Sequence, residues 1–110
     1  MAAPTKLDAH NARVRDALIL PFKRRIASLA IRTDIWKSES KPSADSAVRS
    51  EAQERARGAI AEIDAQVADL SDLKFPAETK ASIVQAELDK MKASYADLRK
   101  TLVTITAVAS

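Results

Sequence analysis

His10 is the single histidine of the chain, and its nearest carboxylate in sequence is Asp8. A metal site needs several ligands at matched spacing, and a general base needs a group that orients it. The surroundings of His10, LDAHNAR, offer neither, so it reads as an exposed helix residue. Cysteine is absent, which removes disulfides, thiolate metal sites and cysteine nucleophiles. One glycine, Gly58, cannot form a glycine-rich phosphate loop. Carboxylates are plentiful, but no run of them suggests a paired acid and base. The expectation is a protein that is not an enzyme, with no catalytic residue, no metal and no cofactor.

The cations are the remaining chemical resource. Residues 1–42 hold nine Lys and Arg against four Asp and Glu, a local charge of +5. Residues 43–110 hold nine against eleven, a local −2. The stretch DALILPFKRRIASLAI, residues 16–31, sets three consecutive cations between two apolar runs. Phosphate binding needs several cations on one face. Arg13, Lys23, Arg24, Arg25 and Arg32 are the candidate phosphate contacts. On a helix they spread around the axis, Asp16 and Asp34 interleave, and no aromatic stacking platform accompanies them. A basic nucleic-acid-binding or packaging protein is therefore the second reading. A membrane-surface helix wants one clean apolar face and one clean cationic face, and these cations interrupt the pattern.

The elements that position these groups read as all-α. Large side chains are few: the aromatics are Phe22, Trp36, Phe75 and Tyr95, and much of the apolar content is alanine. Alanine suits closely approaching helices. A β-rich fold needs many turns with positive φ, and one glycine does not supply them. At 110 residues the chain has the length of one domain, residues 1–110. No apolar run approaches the roughly 18 residues of a transmembrane helix. The first 16 residues carry no apolar h-region of a secretory signal.

Three helical segments follow. The first covers about 5–36 and opens on TKLD, a capping-box-like start at Thr5. Pro21 lies inside it, and an internal proline loses a hydrogen bond and clashes with the carbonyl four residues back. A bend or a break near 20–21 is expected. Residues 37–45 read as a serine- and proline-bearing loop. The second helix covers about 46–70, with a buried stripe of Val48, Ala52, Ala56, Ile60, Ile63, Val67 and Leu70. Gly58, among alanines, suggests close helix approach there. The third covers about 76–108, opened by Pro76.

The third helix carries the strongest pattern. Ala77, Ala81, Val84, Leu88, Met91, Tyr95, Leu98, Leu102, Ile105 and Ala109 alternate spacings of four and three. A sustained 3.5-residue period predicts a coiled-coil-like seam. Glu87 and Lys92 suit a parallel dimer, while an antiparallel hairpin with the second helix explains the seam equally well.

In the first helix, Phe22, Ile26, Leu29, Thr33 and Trp36 share one side, while Ala27, Ile31 and Ile35 lie nearly opposite. A helix apolar on two sides is usually buried on both. Two other helices cannot cover both sides, so Phe22, Ile26, Leu29, Ile31, Ile35 and Trp36 are the candidate partner interface. The expected role is a structural, assembly or adaptor subunit that packs helices against itself or other protein subunits. A component of a symmetric particle such as a phage virion is one such setting. Cysteine-free composition suits the cytoplasm, or a particle assembled there.

Overall fold

The structure, a computed structural model, describes residues 6–75 and 81–107. These form three helices: α1 (Lys6–Glu39), α2 (Ser46–Ser71) and α3 (Ala81–Ala107). The capping box at Thr5, the helix opening at Pro76, and the side chains of Ala77, Ala81 and Ala109 lie outside what is described.

Among the described residues α1 is one helix, and the break expected near 20–21 is not there. Pro21 and Ala17, whose carbonyl the proline deprives of its donor, are both exposed. Water can serve that carbonyl, and Ile19 and Phe22 are held in the core on the other side. The helix also runs past Trp36 to Glu39. Ser40 closes it, its N–H donating to Trp36 O (2.9 Å) and its hydroxyl to Lys37 O (3.1 Å). Pro42 follows, and the residue before a proline disfavours helix. Asp45 caps α2, accepting from Ala47 N at 2.8 Å.

Contacts set the directions. Lys23 pairs with Glu87 near the start of α3 (3.2 Å). Ser40 at the end of α1 shares a cavity with Thr101 and Ile105 near the end of α3. So α1 and α3 run parallel. On α2 the order reverses: Gln53 donates to Ile105 O (3.2 Å), and Tyr95 OH donates to Gln66 Oε1 (2.6 Å). The chain is an up-down-up bundle, 61 Å long and 20 by 18 Å across. The 34 residues of α1 span about 50 Å of this at 1.5 Å per residue.

The seam on α3 closes within the chain. Val84, Met91, Tyr95, Leu102 and Ile105 are buried, and Leu88 and Leu98 pack against the core from its edge. On α2 the buried line is Ala52, Ala56, Ala59, Ile63, Gln66 and Leu70, with Gln53 beside it. Its spacings of four and three match those of α3. The expected stripe ran through three successive spacings of four, which drift around the helix. Val48 is accordingly exposed, and Ile60 and Val67 flank the core.

Inside the bundle Gln66 and Tyr95 satisfy each other, while the buried Thr33 hydroxyl has no hydrogen-bond partner among the described residues. Gln66 accepts from Tyr95 and donates to Glu62 Oε1 (3.0 Å). Burial pushes the Tyr95 phenol above its ordinary value of 10.0, Arg25 works against this, and Glu62 adds to it. Gly58 does not mark a close approach: a Cβ built there meets nothing within 4 Å.

Gly58→Ala should therefore stabilise the protein by about 1 kcal/mol, read from urea denaturation. Tyr95→Phe leaves the Gln66 carbonyl without its donor and should cost about 1–3 kcal/mol. The raised phenol also sets a pH dependence. Its stabilisation is complete below pH 10.0, where the unfolded chain also keeps the proton. It is lost as pH rises through the higher folded-state value. Tyr95 is the single tyrosine, so Tyr95→Phe should flatten this alkaline loss. An unchanged alkaline slope in the variant would show that the phenol does not cause it.

Candidate interface on the outward face of the first helix

The periodicity of α1 divides its side chains between two fates. Phe22 and Leu29 are buried, and Ile26 and Trp36 pack against the same core. All four belonged to the expected partner interface. Phe22 and Leu29 are covered by α2 and α3, which removes them from it, while Ile26 and Trp36 are half-buried and each lines an open surface cavity. Ile31 and Ile35 behave differently. They are 64% and 52% exposed, on the side turned away from the other helices.

They do not stand alone. Ala17, Leu20, Arg24, Ala27, Ile31, Asp34 and Ser38 recur at spacings of three and four, and all are exposed. Leu20 is 43% exposed. Ile35 flanks this row. The surface is a mostly apolar stripe running along the outside of α1, with Arg24 and Asp34 set into it. The sequence reading left Ala17 and Leu20 out of the interface and assigned Arg24 to phosphate, although the signal is present: a second heptad register on the same helix, opposite the buried one. The other exposed large apolar residues, Val48, Ile83 and Val103, are spread over α2 and α3. Single exposed apolar residues are ordinary on a protein surface.

The candidate phosphate contacts are not brought together. Lys23 is engaged with Glu87 (3.2 Å). Arg32 reaches Glu62 (3.6 Å) and lies over the Trp36 ring, 5.9 Å from its centroid. Arg25 lies over Phe22 at 5.2 Å. Arg13 and Arg24 are exposed and make no ion pair among the described residues. They stand eleven residues apart, about 16 Å along a helix. Two cations so separated, with Ala17 and Leu20 between them, make a sparse phosphate-binding face.

The remaining polar pairs are structural. Arg99 and Asp64 join α3 to α2 at 2.9 Å, and this hydrogen bond holds the guanidinium above its ordinary value. His10 is exposed. Among the described residues, no cluster of three or more His, Asp or Glu is placed to hold a metal ion. No helix is long and apolar enough to cross a membrane among those residues.

The division of α1 has a direct energetic consequence. Leu29→Ala should destabilise the bundle by about 2–5 kcal/mol, because it empties a fully buried site. Ile31→Ser and Ile35→Ser together should shift the stability of the isolated chain by no more than about 1 kcal/mol, as surface changes do. Urea denaturation followed by circular dichroism checks both, and equal losses would place the two faces in the same environment. No protein-family model matches this chain, and no curated protein or solved structure matches it.

Proposed function

We propose that the chain is a non-enzymatic assembly or adaptor subunit that acts by packing the outward stripe of α1 against another helix. One observation carries the reading: a helix that already supplies Phe22 and Leu29 to the core still presents Leu20, Ala27 and Ile31 to solvent in a heptad-spaced row, with Ile35 beside it. An exposed apolar stripe bordered by polar residues is the kind of surface that marks a protein contact. The coiled-coil-like character of the protein then extends to its outer surface, where it serves oligomer formation. A symmetric particle such as a virion, assembled in the cytoplasm, is a setting in which such a subunit works.

Nucleic-acid packaging is the competing reading, and salt separates the two. Phosphate binding weakens steeply as salt rises, whereas a helix interface built on apolar contact does not. The mass in solution, by light scattering at about 0.15 M and about 1 M salt, is the test. The expected result is an assembly that persists at high salt and is lost in Ile31→Ser/Ile35→Ser. An assembly indifferent to that double change would refute the role of the stripe. Salt-sensitive DNA binding abolished by Arg24→Glu/Arg25→Glu would favour packaging instead.

A further inference from the structure

We infer that the partner of this stripe is a second copy of the chain, its α1 antiparallel to the first and the pair centred at the level of Leu29. The inference rests on the proposed role of that face and adds its partner and its register. In a two-fold antiparallel pair so centred, residues equally far before and after Leu29 oppose each other. Arg24 and Asp34 are each five residues away. Arg24 of either copy therefore meets Asp34 of the other, twice in one interface. Both are exposed, and neither has an ion partner among the described residues. Ala27 and Ile31 lie two residues on either side, so a small side chain faces a large one. Leu20 and Ser38 lie nine away, so this row stays within α1.

Competing registers lose this match. A shift by one heptad toward the N-terminus sets Arg24 against Ala27, and the opposite shift sets it against Lys41. A parallel pair sets Arg24 against itself. Opposite charges that meet in one register and miss in the others are how helix pairs select alignment. A two-fold interface must also complement itself, and these positions do.

The test is sedimentation equilibrium of the full chain and four variants, with circular dichroism confirming the fold of each. The wild type should be a dimer. Arg24→Asp and Asp34→Arg should each weaken dimerisation by roughly ten-fold or more, since each opposes like charges twice. The combined Arg24→Asp/Asp34→Arg should restore it, with the pair inverted. A dimer untouched by either single reversal, yet lost in Ile31→Ser/Ile35→Ser, overturns this register and leaves the assembly face standing. A dimer that survives Ile31→Ser/Ile35→Ser overturns the face itself. A wild type that stays monomeric overturns the second copy as partner.

Discussion

Tyr95 is wholly removed from solvent, and its hydroxyl needs an acceptor where no water reaches. Gln66 supplies that acceptor from α2 and satisfies its own amide on Glu62. The rest of the bundle depends on this bond. If α2 slides along α3, a buried phenol and a buried amide both lose their partners, a loss apolar contact does not repair. Leucine and alanine alone tolerate several alignments of two helices. The Tyr95–Gln66 bond, with Gln53 bonded to Ile105 O further along, selects one.

With the hairpin aligned, α1 has one groove to fill. Its row from Ile19 to Trp36 completes the core, and Trp36 lines an open cavity together with Gly58 and Ala59 of α2. The charge asymmetry of the sequence takes physical form here. Basic α1 lies against the more acidic hairpin, and Lys23–Glu87 and Arg32–Glu62 bridge the two. Exposed ion pairs of this kind contribute little stability. Their effect is to turn cations toward the flanks of α1. The outward face is left to Leu20, Ala27, Ile31 and Ile35, with Arg24 and Asp34 among them. Among the described residues nothing lies over Ile31 and Ile35 on that face.

Pro21 belongs to the same logic. Its position on the solvent side lets α1 stay a single helix, long enough to carry a heptad-spaced row on each of two faces. Had the proline pointed inward, the lost hydrogen bond would lie in the core without water to replace it.

The linear pattern by itself determined that this protein is all-helical, because periods of 3.5 to 3.6 residues, scarce glycine and abundant alanine leave no other regular structure. It also determined the seam on α3, whose spacing of four and three runs unbroken through Val84, Met91, Tyr95 and Leu102. The two-faced nature of α1 was visible in the alternation of Phe22 and Leu29 with Ile31 and Ile35. Periodicity shows that both faces are apolar, but it contains no information on which one a neighbour covers. Only the tertiary structure decided that, by placing α2 and α3 against Phe22 and Leu29. It alone drew Gln66 into the core, since a polar residue is buried only where a distant partner such as Tyr95 meets it. It also separated the cations of α1, because their ion partners come from helices remote in sequence.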